Sequence, residues 1–224
     1  YGLAQSKNGD LYASIAEKHV VVKFEFDKQE GTWTNVTIIA GTGSQGTGKE
    51  GVVSTQSDLN TPMGLSLIED SSTGEVTAIL IADWGNHRVR ELDMLTHIIR
   101  TIAGKGFGFS GDGGSATAAE ISFPRYVYYD KSNGDVYITD PYNKRIRRVS
   151  GDTISTVVGK ECVDSDGLGD GGPATSACLK DPFDFTMNDA GEWFIADVGS
   201  DRIRKVDSKS IITTVAGGGT EKGD

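Results

Sequence analysis

A ten-residue sequence that returns twice at a fixed interval constrains this chain more than any other feature. It reads IADWGNHRVR from Ile81, ITDPYNKRIR from Ile138 and IADVGSDRIR from Ile195, and each copy starts 57 residues after the last. A fixed period of this size indicates that one supersecondary unit is copied and stacked along the chain. The repeat is therefore the structural unit of the chain.

Each repeat predicts four short strands. An apolar run follows a proline, a turn signal such as Asn133-Gly134 comes next, and a β-branched and aromatic run then ends in the I-A-D or I-T-D element. A third run carries the two arginines, and a fourth closes in Ala-Gly or Val-Gly. Short strands joined by tight turns, with almost no helix pattern, are typical of propeller blades. We therefore predict an all-β protein, a β-propeller segment of four-stranded antiparallel blades at about 1–41, 63–104, 125–159 and 183–217.

Long glycine-rich linkers separate the predicted blades. Two of them are close copies, GDGGSAT from Gly111 and GDGGPAT from Gly169. No lysine follows these glycines and no helix pattern opens after them, which argues against a P-loop and against a Rossmann dinucleotide site. Nucleotide binding is therefore not expected.

The blade and linker patterns together carry a family resemblance. The pattern P-x-G-φ, G-x-φ-Y-I-A-D, N-x-R-I-R and T-φ-A-G (φ apolar), with the linker G-D-G-G-x-A-T-x-A, resembles the NHL repeat, and Asn86-His87 partly matches the motif that names it. The resemblance covers essentially the whole chain, with four NHL-type repeats of which the first is divergent. It implies a β-propeller, usually of six blades, that mostly holds partners on one face. Members also include extracellular sensor domains, RNA-binding modules and a few lyase-like or hydrolase-like enzymes.

The divergent first repeat indicates what the repeated charges do. In the aligned register, Ile15 stands at the place of the I-A-D aspartate, and Val20 and Val22 stand at the places of the two arginines. The first repeat therefore lacks both the aspartate and the arginines. This joint loss is expected if they are partners inside one blade, because an unpaired buried charge is costly, whereas replacing the whole pair by apolar residues can be nearly neutral. We therefore predict structural ion pairs, and no catalytic residue, at Asp83 and Arg88, Asp140 and Arg145, and Asp197 and Arg202.

Aromatic residues mark a candidate binding face. The loops inside the I-A-D and N-x-R hairpins and the long linkers are expected to emerge on one face, and they carry Trp84, Phe107, Phe109 and Tyr142 among glycines. Exposed aromatic residues with polar neighbours are common anchors for proteins or sugars. The alternative is that the linkers fold over the blades and bury these rings.

Two features predict an extracellular or secreted protein. Cys162 and Cys178 flank the second GDGG linker and could form a disulfide in an oxidising compartment, the alternative being two free thiols. Asn35-Val36-Thr37 is a glycosylation sequon beside a turn-rich insertion, which suits an exposed position.

Charge and metal-ligand patterns exclude or weaken other functions. The net charge of −10 argues against a nucleic-acid partner, because such binding needs a basic footprint. No apolar run is long enough to span a membrane. Asp164, Asp166 and Asp170 resemble part of a calcium loop but lack its later glutamate, and loop capping is the favoured role for them. We therefore predict no metal or cofactor, with calcium at these aspartates as the alternative.

We predict a non-enzymatic NHL-type scaffold that binds a protein or glycan partner or assembles with itself. Four blades are expected to belong to a longer array, because an open array leaves two bare end faces that further blades or another copy of the chain would cover. The alternative is a propeller enzyme of the lyase or lactone-hydrolase kind with a divalent metal at the channel. That alternative requires ionisable residues that converge from several blades.

Overall fold

The computed structural model describes residues 2–163 and 167–218, which form an all-β fold. The strands fall into four groups of four, one for each predicted repeat, and one short strand lies in the first linker. They are β1 (Leu3–Gln5), β2 (Leu11–Ile15), β3 (Val20–Asp27) and β4 (Thr32–Ala40) in blade 1; β5 (Val52–Val53) in the linker; β6 (Pro62–Glu69), β7 (Val76–Asp83), β8 (Arg88–Asp93) and β9 (Ile98–Ala103) in blade 2; β10 (Val127–Asp130), β11 (Asp135–Asp140), β12 (Arg145–Ser150) and β13 (Thr153–Val158) in blade 3; and β14 (Pro182–Met187), β15 (Trp193–Asp197), β16 (Arg202–Val206) and β17 (Ile212–Gly217) in blade 4.

Short 3₁₀ turns complete the secondary structure of the described residues. One turn follows the second strand of every blade, and one lies in each of the three linkers between blades. The turns after second strands are Ala16–Lys18, Trp84–Asn86, Pro141–Asn143 and Val198–Ser200, and those in linkers are Ser54–Gln56, Ala116–Ala118 and Ala174–Ser176.

Each blade is an antiparallel sheet whose strands lie in chain order. The strand β5 pairs with β9, so the sheet of blade 2 has a fifth strand. The sheets are arranged as a β-propeller of four blades. The structure therefore confirms the predicted all-β propeller of four-stranded antiparallel blades, to which blade 2 adds one strand from the linker.

Apolar layers between the sheets hold neighbouring blades together. Side chains alternate between the two faces of a strand, so each blade has a leading face toward the preceding blade and a trailing face toward the following one. At the junction of blades 2 and 3, Leu80 and Ala82 of the trailing face belong to one buried cluster with Val127 and Ile138 of the leading face. Similar buried clusters join blades 1 and 2 and blades 3 and 4. Both faces of β7 are covered, and its sequence is accordingly a nearly continuous apolar run.

A glycine closes the fourth strand of every blade for a steric reason. Gly104 has a φ of +89°, and a Cβ at this position would overlap the carbonyl oxygen of His87. Only glycine accepts both the positive φ and the close approach, so the recurring Ala-Gly or Val-Gly signature follows from this turn. The same overlap occurs between Gly41 and His19, Gly159 and Lys144, and Gly217 and Asp201.

Each linker covers the outer edge of the blade that follows it. In blade 2 the cover is β5. In blade 3 the Gly113 N–H donates to the Ile154 carbonyl at 2.8 Å, and in blade 4 the Gly171 N–H donates to the Ile212 carbonyl at 2.8 Å. A covered edge cannot pair with a strand of another chain. Among the described residues, no strand pairs with the outer edge of β4 in blade 1.

The loops between second and third strands lie at the same end of each blade as the linkers. In blade 2 the register places Asp83 opposite both Pro62 and Arg88, and Val89 opposite Ala103. The loop after Asp83, the start of β6 and the end of β9 therefore share one end of the blade. We call this end of the propeller the linker face.

Candidate functional site

The repeated aspartate of each blade holds the end of the preceding linker. Asp140 ends β11 and is fully buried; its Oδ1 accepts the Ser122 N–H at 2.8 Å, and the Asn143 amide donates to its Oδ2 at 2.8 Å. Burial raises the pKa of Asp140 to about 6, while these hydrogen bonds act in the opposite direction. The corresponding contacts are those of Asp83 with the Asn60 N–H and the Asn86 amide, and of Asp197 with the Lys180 and Asp181 N–H groups and the Ser200 hydroxyl.

A buried arginine joins this aspartate to the linker. The Nη1 atom of Arg147 lies 3.5 Å from the Asp140 Oδ2. Its Nη2 atom donates to the Asp112 Oδ1 at 2.6 Å and to the Ser110 carbonyl at 3.2 Å. We call this set of buried aspartate, arginine and linker acid a linker clamp. The other two clamps are Asp83, Arg90 and Glu50 in blade 2, and Asp197, Arg204 and Asp170 in blade 4.

The clamps show which of the two repeated arginines contacts the aspartate. From the sequence, both arginines of a blade are candidates, and Arg145 is the one named for Asp140; Arg145 stands opposite Asp140 in the register of β11 and β12, but the ion pair of Asp140 is with Arg147. Arg145 lies at the strand end, where its guanidinium reaches the linker face and stacks on the ring of Phe109 at 3.8 Å. Arg147 starts farther inside the blade, and its long side chain extends back along the strand to the carboxylate. By the same correction, Asp83 pairs with Arg90 rather than Arg88, and Asp197 pairs with Arg204 rather than Arg202.

Removing a linker acid should loosen one linker without unfolding the blade. We expect Asp112→Ala to lower the free energy of unfolding by about 1 to 2 kcal/mol, because Arg147 loses a charged hydrogen bond but keeps Asp140. Cleavage between residues 105 and 123 by a protease should become faster. The control Asp152→Ala, at an exposed position, should change stability by less than about 0.5 kcal/mol. If the two variants had the same melting temperature and the same rate of cleavage, the proposed role of Asp112 in the linker clamp would be wrong.

Five rings form an exposed aromatic patch on the linker face, made of Trp84, His87, Phe107, Phe123 and Tyr142. Phe123 lies at its centre, with ring centroids 4.5 Å from Trp84, 4.3 Å from His87 and 4.6 Å from Tyr142. Phe107 contacts Phe123 at 5.8 Å and Tyr142 at 6.5 Å. Phe107 is 61% exposed and Tyr142 is 66% exposed, so the linker packs against the rings without covering them.

Hydrogen bonds fix the backbone under the aromatic patch. His87 lies in the left-handed region, with φ of 56°, and its Nδ1 accepts the Phe123 N–H at 3.1 Å. Burial lowers the pKa of His87, which favours the neutral ring that this acceptor role requires. The Ser122 hydroxyl accepts the Gly108 N–H at 2.9 Å, and the Asn143 amide donates to the Gly108 carbonyl at 2.7 Å. The patch is therefore held in place before any partner binds.

The structure brings together three of the four aromatic residues predicted to bind. Trp84, Phe107 and Tyr142 belong to the patch, whereas Phe109 lies beside it under the guanidinium of Arg145. Phe123 was not predicted, although it stands just before the proline that opens blade 3, where blades 2 and 4 have Thr61 and Asp181. The signal that could have identified Phe123 is that blade 3 has an aromatic residue where blades 2 and 4 have a polar one.

A cavity, which we call the axial cavity, lies at the propeller axis, where the first strands of all four blades meet. Its volume is about 390 Å³, and its lining includes Gly2, Gly64, Arg125 and Asp184. The guanidinium of Arg125 stacks on the ring of Phe183 at 3.8 Å. Burial raises the pKa of Asp184. Arg125 and Asp184 are the charged residues of this lining.

The predicted calcium aspartates are divided between described and undescribed residues. Asp164 and Asp166 lie outside the described residues. Asp170 accepts a hydrogen bond from the Arg204 Nη2 at 2.7 Å as part of a linker clamp. Within residues 2–163 and 167–218, no group of three or more histidine, cysteine, aspartate or glutamate side chains is placed to hold a metal ion.

The cysteines lie in a linker, whereas the sequon lies in blade 1. Cys162 and Cys178 form a disulfide across the linker before blade 4, with their Cα atoms 5.7 Å apart. Asn35 is exposed on β4, and its amide donates to the Glu25 Oε2 at 3.2 Å. Among the described residues, no helix has the length and apolar character needed to cross a bilayer.

Comparison with known proteins supports the fold but does not show a family for this chain. No family model matches the chain. Over 109 residues the chain is 33% identical to Teneurin-4 of Mus musculus, a match that covers 42% of this chain and 4% of that protein. Membership of the NHL-repeat family stays a prediction from the motifs.

Solved structures of β-propeller proteins resemble this chain. An auxiliary nutrient binding protein from Bacteroides thetaiotaomicron superposes with a TM-score of 0.57 at 23% identity, over 69% of this chain and 36% of that one. A structural genomics protein of unknown function from the same organism gives 0.62 at 20% identity, over 96% and 47%. Virginiamycin B lyase from Staphylococcus aureus gives 0.50 at 11% identity, over 96% and 69%. At these identities the likeness shows the fold alone, and this chain spans less than half of the Bacteroides proteins.

Proposed function

We propose that this chain is a non-enzymatic NHL-type propeller scaffold that binds a protein partner through the aromatic patch on its linker face. The observation that carries the proposal is the exposed pair Phe107 and Tyr142, held over a fixed base of three further rings. Clustered aromatic residues that stay exposed in a folded domain are typical of interaction sites.

The surroundings of the patch favour a protein partner over a glycan. Arg145 stacks on Phe109 beside the patch, and Tyr142 presents both an apolar ring and a hydroxyl to the surface. Tryptophan, tyrosine and arginine are the residues most enriched at the energetic centres of protein interfaces. A rigid patch also loses little conformational entropy on binding. A glycan remains the second candidate, since sugars also bind to exposed rings.

The enzyme alternative needs a different site from the patch. The buried ionisable residues that recur in blades 2 to 4 are held in linker clamps, and the charged residues lining the axial cavity are Arg125 and Asp184. A lyase or lactone hydrolase with a divalent metal would have to work from that cavity. The clamps therefore support a structural role for the repeated charges.

The setting that we propose is extracellular. A disulfide between Cys162 and Cys178 suits an oxidising compartment, and the exposed sequon at Asn35 suits a glycan-bearing surface. We also propose that the four blades are one part of a longer propeller array. The protein or glycan partner would then bind at the linker face of that array.

Selection of a displayed random-peptide library on the folded chain tests the binding proposal. We expect enriched peptides whose affinity falls about thirtyfold with Phe107→Ala or with Tyr142→Ala, because truncation of a central interface residue typically has an effect of this size. The control is Leu95→Ala, since Leu95 is 89% exposed in a turn at the opposite end of blade 2.

The pattern of affinities distinguishes the possible outcomes. Peptides that bind all three variants equally well would contradict a site at the patch. Glycans from an immobilised set that bind the wild type but not Tyr142→Ala, in the absence of such peptides, would assign the patch to a sugar instead.

A further inference from the structure

The junction of blades 3 and 4 is packed with aromatic rings. Strand register places Trp193 of β15 opposite Met187 and Val206. Its indole stacks on the ring of Phe185 with centroids 5.3 Å apart and meets the ring of Tyr137 edge to face at 4.8 Å. Tyr137 belongs to the trailing face of blade 3, and the other two rings belong to the leading face of blade 4. Three rings therefore fill the space between these two sheets.

Aliphatic residues occupy the same three places at the junction of blades 2 and 3. By strand register, the counterparts of the three rings are Leu80, Val127 and Val136. All three residues are buried, and none of them carries a ring. Val136 stands where blade 4 has Trp193, which is the largest of the three differences in side-chain size. At these three places, blades 2 and 3 are therefore joined by less side-chain volume than blades 3 and 4.

A groove of about 420 Å³ lies at the junction of blades 2 and 3. Its apolar walls are formed by Ile68 and Ile102 of blade 2 and by Tyr129, Val136 and Val149 of blade 3. Cavities of about 300 to 1,000 Å³ with apolar walls and a few polar groups are usual sites for small molecules. Since Val136 forms part of its wall, the groove extends to the place that an indole occupies at the next junction. Its shape therefore suits an aromatic ring of about indole size.

The charged residues of the groove favour a cationic ligand over an anionic one. Its lining includes Glu91, Arg100 and Asp152. The Arg100 Nη2 donates to the Glu91 Oε1 at 2.6 Å, so the charges of these two residues offset each other. Asp152 adds a second carboxylate, which gives the lining one net negative charge. A positive charge on the ligand is therefore attracted to this part of the groove.

We propose that the groove between blades 2 and 3 binds a small aromatic amine, with its ring against Val136 and its ammonium group toward Asp152. The bound ring would supply the packing that Trp193 supplies at the next junction. This site stands apart from partner binding at the aromatic patch. The groove reaches Gly134 and Asp152, which lie in turns at the end of blade 3 opposite the linker face.

Calorimetric titration of the folded chain with tryptamine tests the proposal, with indole and indole-3-acetate as the neutral and anionic comparisons. We expect the affinity to fall in the order tryptamine, indole, indole-3-acetate, because the three share a ring and differ in charge. A chain that binds none of the three, or that binds indole-3-acetate most tightly, would overturn the proposal.

The variant Val136→Trp supplies the ring from the chain itself, as blade 4 does with Trp193. We expect it to lower the affinity for tryptamine at least about tenfold and to melt no lower than the wild type, because the indole buries its surface in the groove. The matched control is Val198→Trp, which adds an indole at an exposed turn of blade 4, where blade 2 has Trp84. This control should bind tryptamine like the wild type.

A second control separates the groove from the aromatic patch. Tyr142→Ala removes an exposed ring of the patch, and we expect it to leave the affinity for tryptamine unchanged. Loss of tryptamine binding in this variant would place the amine at the patch and overturn the site in the groove. Selection of peptides at the patch is a separate measurement, so either proposal can fail without the other.

Two charge variants test the site even if Val136→Trp does not fold. Asp152→Asn should weaken tryptamine binding about threefold, whereas Arg100→Ala should strengthen it about threefold, because Glu91 then loses its cationic partner. Neither change should alter the affinity for indole, which carries no charge. Unchanged tryptamine affinity in both charge variants, or in a folded Val136→Trp, would overturn the site.

Discussion

Asp140→Ala is expected to lower the free energy of unfolding by about 3 to 5 kcal/mol, the range seen when one partner of a buried ion pair is removed. Without the carboxylate, the fully buried Arg147 loses one of its two acidic partners. The Ser122 N–H and the Asn143 amide lose their acceptor as well. Thermal or denaturant unfolding of the purified variant measures the effect.

The matched control replaces both members of the ion pair by the apolar residues that blade 1 has at these positions. Ile15 and Val22 stand in blade 1 at the places of Asp140 and Arg147. We expect Asp140→Ile combined with Arg147→Val to destabilise less than Asp140→Ala alone, by at least about 1 kcal/mol, because no buried charge is left. If the double variant were clearly less stable than the single one, the pairing argument would be wrong.

Loss of the disulfide is expected to have the second largest effect. Cys162→Ser combined with Cys178→Ser should lower the free energy of unfolding by about 3 kcal/mol, because the reduced unfolded chain gains the freedom of the opened loop. For a domain of this size the melting temperature should fall by about 6 to 12 °C. The Cys178 carbonyl also accepts a hydrogen bond from Arg204, so local loosening should reach the clamp of blade 4.

Calorimetry with and without a reducing agent measures this contribution. The wild type should melt at a lower temperature when reduced, while the double serine variant should melt alike in both conditions. Identical melting of the oxidised and reduced wild type would show that the bond contributes no stability. Mass spectrometry of non-reduced peptides from the natural source would show whether the two cysteines are joined there.

The repeat made most of the fold predictable from the sequence. Each blade shows the same order of apolar runs and turn residues, so the strands of one copy support those of the next. The strand β5 escaped prediction because it has two residues, Val52 and Val53, and owes its conformation to pairing with β9. Secondary structure of this kind comes from tertiary contact and leaves no periodic pattern.

The candidate site was less predictable because its parts are distant in the chain. The joint loss of the aspartate and the arginines in blade 1 indicated pairing within a blade but did not distinguish the two arginines, of which Arg147 is the one whose side chain reaches Asp140. The role of Glu50 as a linker acid was missed because the first linker lacks the GDGG motif. Phe123 reaches the aromatic patch because its backbone lies in the left-handed region, with φ of 54°. A non-glycine residue rarely adopts this conformation, so the sequence does not predict it.

The sequon at Asn35 bears on strand addition at the outer edge of β4. Linkers occupy the outer edges of blades 2 to 4, and such an edge left open invites a strand from another molecule. Asn35 lies on β4, where its positive φ and the nearby bulge interrupt the regular ladder. A glycan on Asn35 would add a bulky hydrophilic group beside this edge. Such a group would hinder the pairing of another strand with this part of β4.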